Sequence, residues 1–226
     1  MLLVNAPDAE GFMQRMGTDV GRKAALGDRS QYDGRALNLI AAAHNAVMDG
    51  VPKIIALASD PTRTTVQQHH SARQIATKIG TVVIQSKTGL EGVARELAAE
   101  GNQMILDRFA LDPNRHAIHS EMRGWIRGRA VEADGIMKIR EAAKTNSELV
   151  GVIYSSPDFL LDLSETTRGN IVTDGFERFA SAAWAKIEES QKLDELAARY
   201  AKFPDMVHLY SYNRELANQA NRRVEL

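Results

Sequence analysis

Hydrophobic and polar positions along this chain form a unit that recurs three times in its first half: a stretch of helical period, a glycine, then a short apolar run. Ala36 to Asp49 closes on Gly50 and leads into Pro52-Lys53-Ile54-Ile55-Ala56-Leu57-Ala58. Val66 to Ile79 closes on Gly80 and leads into Thr81-Val82-Val83-Ile84; Leu90 to Glu100 closes on Gly101 and leads into Gln103-Met104-Ile105-Leu106. Glycine takes the left-handed conformation that ends helices at little cost, and Val and Ile fit a pleated, buried surface. The pattern therefore predicts an α/β fold, a doubly wound and mostly parallel sheet with flanking helices and a helical C-terminal part.

The remaining segments fit that scheme. Met1 to Val4 reads as a first strand, and residues 8–34, interrupted by Gly11, Gly17, Gly21, Gly27 and Gly34, as a short helix followed by a loop. Ala36, Ile40, Ala43 and Val47 mark one helical face, and Leu90, Val93, Ala94, Leu97 and Ala98 another. Asp60-Pro61 and Asp112-Pro113 are helix starts, the first capped by Asp60 or a following Thr, the second helix reaching about Lys144. Glu148 to Tyr154 is a further strand, ended by Ser155-Ser156-Pro157. The longest helix, Asp174 to Lys202, stops at Phe203-Pro204; Met206 to Tyr210 is a last strand and Asn213 to Leu226 a surface helix.

Short apolar runs have no period of their own, so an all-α fold with long helices is the alternative. If Thr81 to Ile84 is helical, Val66, Ile75, Val83, Leu90, Leu97 and Met104 fall on one rod of about fifty residues, roughly 75 Å long. Gly80, Gly89, Gly92 and Gly101 oppose it, each costing about 1 kcal/mol against Ala in a helix interior.

Composition narrows the partners. The length suits a single domain spanning 1–226, and 28 basic against 29 acidic residues leave no whole-molecule field to attract nucleic acid or an anionic membrane. Cysteine is absent, which removes disulfides, thiolate nucleophiles and Cys-based zinc sites. The first residues lack a basic stretch and a signal-length apolar run, and nowhere do 18 apolar residues follow one another. The expectation is a soluble, cytoplasmic protein, or alternatively a component of a virion.

In the α/β reading, ligands bind at the carboxyl ends of strands, where the next helix offers free N–H groups. The polar junctions there are Ser59 with Thr62 and Arg63, Ser86 with Lys87 and Thr88, and Ser155 with Asp158. Hydroxyls and cations at helix starts suit a phosphate or carboxylate, and Asp107 and Asp158 are placed for acid/base work; the same residue types also serve as plain helix caps. No G-x-G-x-x-G, P-loop or G-x-S-x-G is present, so no cofactor is identified. His116 and His119 share a helical face and His69 and His70 adjoin, but no recognisable ligand set surrounds them and no metal is assigned. Arg115, Arg123, Arg127 and Arg129 surround Trp125, a cationic helix with an aromatic that suits a nucleic-acid backbone or a protein interface; the plainer reading makes Trp125, with Ile118 and Met122, a buried stripe flanked by solvated arginines.

Two functions from different classes follow. The first is an α/β protein that binds a phosphorylated or other anionic small molecule at strand ends, with transferase activity as its extension. The second is a non-enzymatic helical assembly protein of a virion or other large particle, a homo-oligomer or larger assembly in which Ala182, Ala183, Trp184 and Trp125 make contacts. Neither includes a membrane or a nucleic acid.

Overall fold

Ten α-helices run through residues 2–220, which the computed structural model describes, and none of these residues forms a strand. In chain order they are α1 (Pro7–Gly17), α2 (Asp19–Leu26), α3 (Gly34–Leu57), α4 (Thr65–Arg108), α5 (His116–Ala130), α6 (Gly135–Ala143), α7 (Ser147–Ser155), α8 (Glu165–Phe179), α9 (Ser181–Ser211) and α10 (Arg214–Gln219). The doubly wound α/β sheet is therefore the wrong architecture, and the all-α alternative is the right one. Pro52 to Ala58 completes α3 and its last turn, Thr81 to Ile84 and Gln103 to Leu106 lie inside α4, Glu148 to Tyr154 lies in α7, and Met206 to Tyr210 lies in α9. Residues 2–4 are irregular; Met1 and residues 221–226 of the expected tail helix lie outside the described residues.

The physical reason is that Gly50, Gly80 and Gly101 are contact points within helices. A Cβ on Gly50 would lie 2.5 Å from Ile79 Cδ1, one on Gly89 would lie 2.6 Å from Leu39 Cδ2, and one on Gly80 would lie 3.2 Å from Pro204 Cβ. Glycine thus lets α3 and α9 approach α4 more closely than side chains would permit. The packing gained there outweighs a propensity cost of about 1 kcal/mol per glycine. Beside the Gly89 contact, Ser86 is 2% exposed and donates its hydroxyl to the Leu39 carbonyl at 2.9 Å. At 44 residues, α4 is about 66 Å long.

α7 imitates a strand for a different reason. Leu149, Val150, Gly151, Val152 and Ile153 are all buried, because α5, α6 and α8 surround this short helix. A helix covered on all sides loses its polar face and carries a buried strand's composition. Pro204, expected to end its helix, lies inside α9, its ring against Gly80. The expected Asp174 to Lys202 helix instead breaks at Ala180, between α8 and α9, and the expected Asp112 to Lys144 helix breaks at residues 131–134.

The chain forms two compact units, Met1–Arg95 with Gln191–Leu226, and Glu96–Ser190; α4 and α9 contribute to both. In the first unit, Phe12 packs against Phe203 and Tyr210 with ring centroids 6.0 and 5.1 Å apart. Buried Tyr200 donates to the Leu26 carbonyl at 2.7 Å, and burial pushes its phenol pKa up. Gly27, at φ 88, needs glycine both for that backbone and because Leu196 lies 3.0 Å from its Cβ position. Thr64 and Gln67 cap α4 reciprocally: the Thr64 N–H donates to Gln67 Oε1 and the Gln67 N–H to Thr64 Oγ1.

In the second unit, Ile105, Phe109, Ile126, Ile139, Leu149, Ile153, Leu161 and Phe176 make the core. The Phe176 ring sits 5.2 Å from both Phe109 and Tyr154 and 6.2 Å from Trp184. Asn146 caps α7 by accepting from the Leu149 N–H, and Ser164 caps α8 by accepting from the Thr167 N–H.

Glycine contacts and glycine vacancies should respond oppositely to alanine. Gly101→Ala would bring its Cβ to 2.8 Å from the Ala183 carbonyl oxygen and from Ile187 Cγ1. A backbone atom cannot rotate aside, so a loss of about 1 to 3 kcal/mol is expected despite the better helix propensity. Nothing lies within 4 Å at Gly169 of α8, so Gly169→Ala should gain roughly 0.5 to 1 kcal/mol. Urea unfolding of both variants reads the signs.

Histidines give the first unit a pH dependence. His44 donates from Nε2 to the Gly27 carbonyl at 2.9 Å, while His69 accepts the Asn213 N–H at Nδ1, a role open only to its neutral ring. Desolvation by burial lowers the pKa of His44, His69 and His208 below the usual 6.5. The unfolded chain takes up protons first as pH falls, so stability is full above about 6.5 and declines below it. Denaturant midpoints at pH 7.5 and pH 5 should show the lower value at pH 5.

Candidate protein interface

Helix α5 sorts its side chains onto three flanks at about 100° per residue. His119 and Ile126 face the core, each no more than 3% exposed. Arg123 and Arg127 occupy a second flank. Ile118, Met122 and Trp125 occupy the third, roughly opposite the second, where they meet Ala142, Asn146 and Leu149 around a groove of about 330 Å³ that Glu121 borders. Ile118 is 41% and Trp125 37% exposed. The expected buried stripe of Ile118, Met122 and Trp125 is therefore displaced: the buried positions of this helix are one residue further on.

The arginines are engaged within the second unit. Arg115 Nη2 lies 2.9 Å from Glu148 Oε2, whose other oxygen lies 2.9 Å from His119 Nε2. Arg123 donates from Nε to Ser156 Oγ at 2.9 Å, and Arg127 donates from Nη1 to the Leu160 carbonyl at 3.3 Å. Arg129 lies over the Trp125 ring at 5.8 Å and binds Glu132, which Lys138 also reaches at 3.0 Å. Those bonds hold the Glu132 carboxyl below its usual range.

Arg168 completes the constraint on residues 154–160, pairing with Asp158 and donating to the Tyr154 carbonyl at 3.3 Å. The segment they fix is the 3-10 turn Asp158–Leu160, and it presents Phe159 at 76% exposure. Nothing in the apolar pattern singled out Phe159; the available signal was an aromatic residue directly after the turn-forming Pro157-Asp158.

The residues expected to bind an anion each have a local task. Asp60 accepts from the Thr62 N–H and hydroxyl at 2.9 and 2.6 Å and from Arg63 Nε at 3.0 Å, and Arg63 also reaches Ser71. Ser59 bonds to the Ala56 carbonyl, Thr88 to that of Ile84 and Ser155 to that of Val152. Lys87 pairs with Glu91 at 2.6 Å, and Asp107 accepts from Gln103 at 2.8 Å. Arg63 precedes α4, whereas Lys87 lies about 33 Å along it from Thr65, so the two cannot meet on one ligand. Strand ends, the premise of that site, do not exist among the described residues.

His69 is committed to Asn213, His70 contacts Arg73 and Gln74, and among the described residues no group of three or more His, Asp or Glu could hold a metal. Of the contact residues expected on α9, Ala183 is buried and Trp184 packs partly buried against Phe176, leaving Ala182 exposed. A second cleft of about 310 Å³ sets Arg140, Lys144 and Arg178 against Asp174 and Glu177 over an apolar floor. No described helix is long and apolar enough to cross a membrane.

No family model, curated protein or solved structure matches the chain.

The two kinds of cation should differ in mutants. Arg168→Met removes a half-buried pair and a carbonyl bond, and should cost about 1 to 2 kcal/mol after allowance for solvent screening. Lys87→Met removes one surface pair and should stay within about 0.5 kcal/mol. Denaturant unfolding separates the two.

Proposed function

We propose that this chain is a non-enzymatic helical assembly protein, acting as a homo-oligomer or within a larger particle such as a virion, and that the Trp125 groove is one of its association surfaces. The carrying observation is the groove itself: Trp125 and Ile118 stand open on a helix whose opposite flank is tied down by Arg123 and Arg127. Exposed apolar grooves rimmed by polar groups mark interaction sites, and tryptophan is prominent among the residues that dominate binding energy. The polar residues that would serve catalysis are occupied in caps and helix pairs, which supports a structural role. Its expected place is the cytoplasm of the cell that makes it, or the particle it joins.

Sedimentation velocity over a wide concentration range tests this. Self-association that strengthens with concentration is expected, together with a blue shift of tryptophan fluorescence as Trp125 leaves water. A monomer at every concentration, with Trp125 still open to quenchers, would contradict it.

A further inference from the structure

Phe159 and the Trp125 groove are the two exposed apolar features flanking α5. Arg127 bonds to the Leu160 carbonyl on one flank of α5 while Trp125 lines the groove on the roughly opposite flank, so ring and groove face different directions. Phe159 is 76% exposed on a turn that Arg127 and Arg168 hold in place. An aromatic ring pre-positioned in water loses little conformational freedom when a pocket takes it up.

From this we infer that copies of the chain associate head to tail, Phe159 of one copy seated in the Ile118/Trp125 groove of the next; the inference rests on the assembly function proposed above. Charge agrees with the apolar fit. After Phe159 come Asp162 and Glu165, both exposed and without an ion pair among the described residues. Above Trp125, Arg129 uses only Nη1 on Glu132, so Nε and Nη2 remain for an incoming carboxylate. A contact between two different surfaces leaves a free ring at one end of every pair and a free groove at the other. It therefore builds a ring or a filament rather than a closed two-fold dimer.

The test mixes two variants. Phe159→Ala keeps the groove and Ile118→Glu keeps the ring, with circular dichroism confirming that both fold; Trp125→Ala replaces Ile118→Glu should the latter unfold. Sedimentation of each alone should show association weakened roughly tenfold or more. Mixed in equal amounts, they should recover one pairing and stop at a dimer, while the unaltered protein grows beyond it. If both variants associate like the unaltered protein, this contact is wrong and the assembly function stands on another surface. If both fail alone and the mixture stays monomeric, the interface is symmetric and the head-to-tail contact is wrong. An unaltered protein that is itself monomeric removes the inference and the proposed function together.

Discussion

The first unit depends on close approach between helices at glycine. Gly50 meets Ile79, Gly89 meets Leu39 and Gly80 meets Pro204, so both α3 and α9 are drawn against α4 where one helix of each contact has no side chain to hold the other off. Gly101 opens the same kind of contact with Ala183 in the second unit, and Gly175 with Val150. Each glycine weakens its helix by about 1 kcal/mol relative to alanine, but dense packing recovers this through many small contacts. The same contacts keep α4 helical through a sequence whose local preferences would otherwise break it.

That constraint also explains which parts of the fold the residues disclosed. Periodicity found real faces: Ala36, Ile40, Ala43 and Val47 are all buried in α3. Threonine after Asp60 does cap α4, through the reciprocal bonds of Thr64 and Gln67. What misled was the meaning of glycine, since a glycine inside a helix and one just beyond its end look alike until the partner is known; Gly50 needs Ile79, twenty-nine positions on, to declare itself. Leu149 to Ile153 misled in the same way, because burial by α5, α6 and α8 is a tertiary fact with no local trace.

The candidate interface was half legible. Trp125 stood out, but its exposure was assigned to the wrong flank of α5, because Ile118, Met122 and Trp125 have the spacing of a buried stripe while His119 and Ile126 actually provide it. His119 could take that place because Glu148 pairs with its ring, and Glu148 is distant in sequence. The surrounding arginines looked like a free cationic surface. Their partners include the backbone carbonyl of Leu160 and the Ser156 hydroxyl, neither of which carries a charge visible in composition. The result is a helix with one flank bonded to Ser156 and the Leu160 carbonyl and the other left open.

Gly80, Gly89 and Gly92 lie within one unbroken helix, and the absence of cysteine lets spin labels be placed without removing native thiols. Gln74 and Arg95 are exposed on α4 within the first unit and bracket all three glycines. Double electron–electron resonance on Gln74→Cys/Arg95→Cys, labelled at both sites, should give a narrow distribution near about 32 Å, the length of a continuous helix at 1.5 Å per residue. A distance below about 20 Å would mean that the chain turns back at Gly80, and would contradict the helical account.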